Sequence, residues 1–505
     1  MTERSLGDGH APGELARKTA RGAFTSVLGQ GCSFVLRIIS MTAIARLVTP
    51  EHFGLFGMVA TLVGLFSLLR DAGLAVATVQ QTVVSHELLS ALFWINVLVG
   101  VVLAAVTALA APALAAFYGD PRLTWITVAM AASFVCHGAA AQHRALLLRR
   151  LRFVAITAVD IIALLVAIVV SLAMAFAGLG YWALVGMAVG QPLVNAVGLW
   201  LAAGWTPGRY RRASGIGAML RYGGVVTLNS LVVYVAYNAD KVLVGRLLGA
   251  EALGIYGRAY QLASIPTENL HSTLSWVMLP ALARVQHDPS RLRSFFLKAF
   301  KLFLAIVTPI TVCCGLFAEE IVRILLGPQW DSAAPIFRFL APTILVFAVV
   351  NPLGVMLHAT GRATRSLKLA FLIAPVTIAA VALGLPHGPQ GVAIGLSASM
   401  LVLVVPLVIW ARQGTSITVA DVALAMWMPC FSALVGAAAG WGAVQAIDGG
   451  HAIVRLAIGC GALFTVHFVV FAAFQREMVR ELLGAVFKSR PHPAALNSVH
   501  HTREG

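Results

Sequence analysis

Apolar runs of about 20 residues or more, parted by short polar joints, follow one another along nearly the whole chain. A bilayer's hydrocarbon core is about 30 Å thick and an α-helix rises about 1.5 Å per residue, so each run is long enough for one crossing. The pattern predicts fourteen helices, near residues 22–47, 53–79, 87–112, 122–142, 153–177, 180–204, 217–247, 252–280, 295–318, 333–358, 366–384, 390–411, 420–446 and 452–474. The alternating segments of about 10 residues that mark an outer-membrane barrel are absent. The fold class is therefore an all-α, polytopic membrane protein.

One polar joint occurs twice. RLVTPEHFGLFG, Arg46–Gly57, returns 200 positions later as RLLGAEALGIYG, Arg246–Gly257, with Arg, Leu, Glu and both glycines matched without a gap. Each copy reads as the hairpin between helices one and two of a half, its glycines letting the second helix pack closely on a neighbour. The expected organisation is an N-lobe of helices 1–6 (22–204), a cytoplasmic linker (205–216) and a C-lobe of helices 7–12 (217–411). Accessory helices 13–14 (412–474) follow, with cytoplasmic tails at 1–21 and 475–505. Each lobe has an even number of spans, so the lobes should be related by an axis along the membrane normal and enclose a central cavity.

Composition agrees: 59% of the 505 residues are hydrophobic and 11% charged. The formal charge of +16 raises the question of nucleic acid, which the distribution answers. Twenty-six basic residues fall on the side of the termini and five on the other, which places both termini in the cytoplasm and makes topology the reason for the charge. No nucleic-acid partner is expected. Residues 1–20 lack an apolar core ahead of a small-residue cleavage site, so the first helix is expected to direct insertion. The six cysteines lie in or beside apolar runs without metal-ligand spacing and read as small packing residues.

Five basic residues remain inside predicted spans: Arg37, Arg70, Lys241, Arg258 and Arg338. A charge at a helix centre costs roughly 2.5 to 3.5 kcal/mol on insertion scales and normally faces a partner or a wet cavity. Arg37, near the middle of the first helix, is too deep to snorkel easily. Lys241 has Asp240 beside it, and the 200-residue frame sets Arg37 opposite Tyr237, so the polar sites of helices one and seven should face each other across the cavity. Arg258 and Glu268 flank Pro266, which allows a kink. Arg70 and Asp71 form an adjacent pair near the cytoplasmic interface, where a structural role competes with a functional one. Arg338 is placed to snorkel outward, and Asp160 with Arg152 reads as a neutralised boundary pair. Scattered histidines (His137, His143, His271, His358, His467) read as hydrogen-bonded packing residues. No phosphate-cradling loop or catalytic acid cluster is visible, so neither an enzyme nor a metal site is expected.

Taken in order, ARLVTPEHFGLFG, RDAGLAVATVQQ, FYGDPRL, ALLLRRLRF, NADKVLVGRLLGAEALGIYGRAYQLASIP, VMLPALARVQHD and LLGPQWDSAAPIFRFLAP resemble the polysaccharide-transport branch (Wzx-like oligosaccharide flippases) of the multidrug/oligosaccharidyl-lipid/polysaccharide exporter superfamily. The resemblance implies a flippase that moves a polyprenyl-pyrophosphate-linked oligosaccharide to the outer leaflet of a bacterial inner membrane, for O-antigen, capsule or exopolysaccharide (lipopolysaccharide included). Implied partners are that lipid-linked oligosaccharide, membrane lipids, and polysaccharide polymerase and export machinery. Family motifs fall on Asp240 and on Asp71, Gly73 and Leu74. Arg37, Lys241, Arg258 and Arg70 would hold the substrate, and Asp240, Asp71 and Glu268 would balance charge or couple transport to H⁺ or Na⁺, with no other cofactor. The alternative is a cation-coupled small-solute or multidrug antiporter of the same superfamily.

Overall fold

The structure, a computed structural model, describes residues 12–70, 85–210, 216–447, 451–478 and 480. Its helices are α1 (Pro12–Leu47), α2 (Pro50–Arg70), α3 (His86–Tyr118), α4 (Arg122–Arg149), α5 (Phe153–Phe176), α6 (Tyr181–Ala203), α7 (Ile216–Val285), α8 (Pro289–Leu316), α9 (Ala318–Leu325), α10 (Ala333–Ala359), α11 (Ala363–Gly384), α12 (Gly388–Ala411), α13 (Val419–Gln445) and α14 (Ala452–Phe474). No strand occurs among the described residues. The protein is a multi-pass membrane protein.

Among the described residues eleven segments have the length and hydropathy of a crossing, a count that does not confirm the predicted fourteen. Predicted spans eleven and twelve merge into one apolar stretch, Ile373–Ala411, because their joint is a single 3₁₀ turn at Leu385–His387. Predicted helices seven and eight lie in one 70-residue run, α7, and are not among the eleven. The only non-helical angles inside α7 are at Gly249, with φ 89°, a conformation that favours glycine. Pro266 and Pro280 sit inside α7 without taking the backbone out of helical angles. The charged connection at 319–334 forms a short helix, α9, and a 3₁₀ turn at Pro328–Trp330.

Local chemistry sets the helix ends. Ser85 accepts from the Leu88 amide to start α3, and Gly119, at φ 76°, ends it with its N–H on Ala115 O. Asp288 caps α8 ahead of Pro289, and Thr418 with Asp421 forms a capping box on α13. Glycines then bring helices together. A Cβ on Gly100 would lie 2.6 Å from Phe134 O, and one on Gly138 2.5 Å from Asn96 O, so α3 and α4 meet backbone to backbone. Gly436 and Gly440 do the same for α13 against α14, whose backbone at Leu463 O and Gly459 O would be 2.6 and 2.7 Å from an added Cβ.

By compactness the chain divides into two units. The first comprises the described residues up to Ser264 with Ile321–Leu340 and Ala363–Leu403; the second comprises Ile265–Glu320, Ala341–Arg362 and those from Val404 on. Both copies of the repeated hairpin lie in the first unit. In the second, the α13–α14 pair packs on α8: His467 Nε2 meets Ala305 O at 2.8 Å, and Thr308 donates to Pro429 O at 3.2 Å. His137 and His143 likewise pair with backbone carbonyls, at Ser133 O and Ala139 O. The described cysteines are free thiols; Cys32 is exposed rather than buried, and the Sγ atoms of Cys313 and Cys460 lie 3.1 Å apart.

Gly138→Val is expected to force α3 and α4 apart and to destabilise the fold by about 1–3 kcal/mol. Thermal unfolding of the detergent-solubilised protein, followed by loss of the monodisperse peak, checks this; an unchanged midpoint would contradict the close contact.

Candidate functional site

The repeated hairpin meets its own copy. An added Cβ on Gly54 would run into the carbonyl of Ala250, and one on Gly254 into the carbonyl of Pro50. Pro50 and Ala250 are themselves 200 positions apart, so the contact is reciprocal, as a local two-fold relation between the copies requires. The same reciprocity extends to the neighbouring joints. The last four carbonyls of a helix lack internal partners. Near the end of α1, Ala45 O accepts from the buried Trp330 Nε1 at 2.8 Å and from Gln329 Nε2. In return Arg46, in the last turn of α1, donates to Ile324 O at the end of α9, 2.8 Å away. Its chain also lies against Gly327, whose φ of 102° suits glycine. In the second copy Arg246 stacks on Phe117 at 5.6 Å, beside the joint that follows α3.

Glu51 pairs with Arg122 at 2.7 Å, and Arg122 pairs with Asp120 at 2.7 Å. The hydrogen bond from Arg122 holds the Asp120 carboxyl below the usual carboxylate range. Its stabilising contribution is present above the ordinary carboxylate pKa and is lost as pH falls through the lowered value.

Deeper along α7 lies the polar run around Asp240. Asp240 is buried; its Oδ2 accepts from Tyr256 at 2.6 Å and its Oδ1 has no partner among the described residues. Lys241 does not use the neighbouring acid. Its Nζ donates to Asn238 Oδ1 at 2.8 Å and sits 4.5 Å from the Tyr260 ring centre. Arg258 stacks on Phe53 at 3.8 Å and donates to Gln261, and Phe53 in turn meets Trp330 edge to face at 5.3 Å. Neither base is in an ion pair with a carboxylate among the described residues.

The other predicted residues are dispersed. Arg37 is exposed and has no ion pair among the described residues; Arg70 is half-buried at the end of α2; Arg338 and Glu268 are exposed. Asp71, Gly73 and Leu74 lie outside the described residues. The Asp160–Arg152 pairing is corrected: Asp160 binds Arg144 and Asn195, whereas Arg152 turns to Ala202 O at the end of α6. Arg152 precedes the first turn of α5, which carries it away from that helix's side.

Sequence reasoning missed Tyr256, Gln329 and Trp330. Tyr256 had a signal, since it is the position where the second hairpin copy carries a hydroxyl and the first has Phe56. Trp330 had none, because its partner is 285 residues away.

With this geometry in view, a family model described as polysaccharide biosynthesis protein matches residues 43–335, more than half of the chain. The lipopolysaccharide biosynthesis protein WzxC of Escherichia coli (strain K12) is 26% identical over 431 residues, covering 83% of this chain and 86% of that protein. The teichuronic acid biosynthesis protein TuaB of Bacillus subtilis (strain 168) is 25% identical over 357 residues, 69% of this chain and 73% of its own. The succinoglycan biosynthesis transport protein ExoT of Rhizobium meliloti (strain 1021) is 24% identical over 373 residues, 74% of this chain and 76% of its own. Among solved structures, the lipid II flippase MurJ in an inward closed conformation superposes with a TM-score of 0.71 at 13% identity, covering 90% of this chain and 99% of that one. An inward-facing multidrug resistance MATE family transporter of the MOP superfamily gives 0.60 at 14% identity, with 78% and 95% covered. At such identities the likeness is one of fold.

Gly254→Val would push the Pro50 backbone away and loosen the reciprocal contact. With Ala45→Cys as a reporter at a position 0% exposed, maleimide labelling of that cysteine, followed by peptide mass, is expected to run about tenfold faster in the Gly254→Val background. Equal rates would show that the glycine contact does not hold this joint shut.

Proposed function

The chain belongs to the polysaccharide biosynthesis protein family, and on that premise we propose that it is a flippase for a polyprenyl-pyrophosphate-linked oligosaccharide, working by alternating access. The cargo is a repeat unit of an O-antigen, capsule or exopolysaccharide, taken from the cytoplasmic to the outer leaflet of a bacterial inner membrane. The observation that carries this is similarity over most of the chain to relatives named for making lipopolysaccharide, teichuronic acid and succinoglycan. The role is transport, with no covalent step assigned to the chain.

The chemistry supports it. A pyrophosphate carries about two negative charges, and moving it through hydrocarbon unaided would cost tens of kcal/mol on an idealised desolvation estimate. Lys241 and Arg258 are held by an amide and by aromatic faces, which position a cation without cancelling it. With Arg37 and Arg70 they form the headgroup-binding set, joined to the anion by charge-assisted hydrogen bonds. The Oδ1 of Asp240, without a partner among the described residues, is the feature that suits H⁺ or Na⁺ coupling, with Asp71 and Glu268 as further charge-balancing acids. With the termini in the cytoplasm, as the basic residues indicate, the interlocked hairpins lie on the outer side and form its seal. The same Oδ1 also favours the second reading, a cation-coupled antiporter of a small solute.

Transfer of a fluorescent polyprenyl-pyrophosphate oligosaccharide across proteoliposomes tests both. Wild type is expected to transfer it, Arg37→Ala to slow transfer by about tenfold or more, and Asp240→Asn to lose the response to an imposed H⁺ or Na⁺ gradient. Undiminished transfer by Arg37→Ala would remove that residue from the binding set. Absence of transfer by folded wild type, with gradient-driven efflux of a small cation instead, would favour the antiporter.

A further inference from the structure

The arginines near the end of α4 divide into two kinds. Arg150 donates to Ala203 O at 3.0 Å and Arg152 to Ala202 O at 2.8 Å, so both satisfy carbonyls that α6 leaves unpaired at its C-terminus. Arg144 does no capping. Its Nη1 donates to Asp160 Oδ1 at 3.1 Å and its Nη2 to Oδ2, a bidentate pair, while Asn195 Nδ2 donates to the same Oδ1 at 2.7 Å. Three helices of the first unit, α4, α5 and α6, therefore converge on one carboxylate.

The three residues share one depth. Counted from the nearest ends of their helices, Arg144, Asp160 and Asn195 lie about 8, 10 and 12 Å inside at the rise of an α-helix. The side chains of Arg144 and Asp160 are nonetheless 41% and 35% exposed. A half-exposed ion pair at that depth is costly against lipid and favourable against an aqueous flank. Asp160 is well satisfied by its partners. Arg144 is less so: two of the five N–H donors of its guanidinium are used among the described residues, and its side chain is partly exposed.

We propose that Arg144, Asp160 and Asn195 form a diphosphate-docking site at the cytoplasmic mouth, in which Asp160 is a resident anion that holds the Arg144 fork until the diphosphate of a lipid-linked sugar displaces it. This rests on the flippase reading above. Asn195 keeps one hydrogen bond on the displaced carboxylate, whose half-exposed side chain can be solvated, and the planar fork suits a phosphate as well as a carboxylate. The site is separate from the Lys241–Arg258 set, whose bases have neutral partners. An incoming headgroup would compete with a carboxylate here and meet uncancelled charge there, which favours onward passage.

The two members of the pair should respond with opposite sign. Binding of sugar-free polyprenyl diphosphate to the full-length protein in zwitterionic nanodiscs is measured for wild type, Arg144→Gln, Arg144→Lys and Asp160→Asn, with inorganic pyrophosphate or phosphatidylglycerol as competitor. Expected are binding about tenfold weaker for Arg144→Gln, an intermediate loss for Arg144→Lys, and binding about threefold or more tighter for Asp160→Asn, which keeps the shape but removes the competing charge. Inorganic pyrophosphate should compete and phosphatidylglycerol should not. Weakening by both Arg144→Gln and Asp160→Asn, or no change in either, would make the pair a structural brace and overturn the proposal. Equal competition by phosphatidylglycerol would overturn the assignment to a lipid-linked sugar. If wild type transfers the oligosaccharide across liposomes while Arg144→Gln binds unchanged, this inference alone falls; if wild type binds no polyprenyl diphosphate, the flippase reading falls with it.

Discussion

The backbone-to-backbone contact of Gly54 and Gly254 is the constraint on which the rest of the first unit's joint depends. Any side chain at either position would collide with a main-chain carbonyl of the other copy, and a carbonyl in a helix cannot swing aside as a side-chain tip can. The helix ends beside the hairpins find partners in each other. Trp330 and Gln329 supply donors to Ala45, and Arg46 supplies one to Ile324. Each bond satisfies a carbonyl that its own helix leaves open, and the buried one, from Trp330, meets a group that water does not reach.

The basic residues fall into two electrostatic classes with different uses. At helix ends, arginine meets carboxylate: Arg122 with Glu51 and Asp120, Arg323 with Asp331, Arg293 with Asp421 and Arg455 with Glu320. Such pairs cancel charge and fix the joints. Within the α7 run the hydrogen-bond and ring partners are amides and aromatic faces, which orient Lys241 and Arg258 without forming an ion pair. A protein that must receive an anion and release it again is served by the second class. Arg144 stands between the two, with a carboxylate partner but an open flank.

Much of this was legible in the chain. The apolar runs overlap the observed helices because length and hydropathy are local properties, and the Gly249 break falls within the repeated joint that predicted it. The repeat also exposed the glycines, whose counterpart proved to be each other. Side-chain pairing was less legible. Sequence proximity pairs Asp160 with Arg152, yet the helix-start position of Arg152 sends it to α6, and the partner of Asp160 comes from α4. Asp240 was matched to adjacent Lys241, but consecutive residues on a helix point about 100° apart, and Tyr256 reaches the acid instead.

By itself the sequence determined that this is a many-helix membrane protein with an internal repeat, and which polar residues its helices must carry. Membrane thickness and the need to satisfy every backbone group dictate those from composition and run length alone. Tertiary structure decided which way each helix is rotated, and so which polar groups meet. In a soluble helix an apolar stripe announces its buried face, but in a bilayer the lipid-facing and protein-facing sides are both apolar, so rotation is set by glycine contacts and a few hydrogen bonds between distant segments.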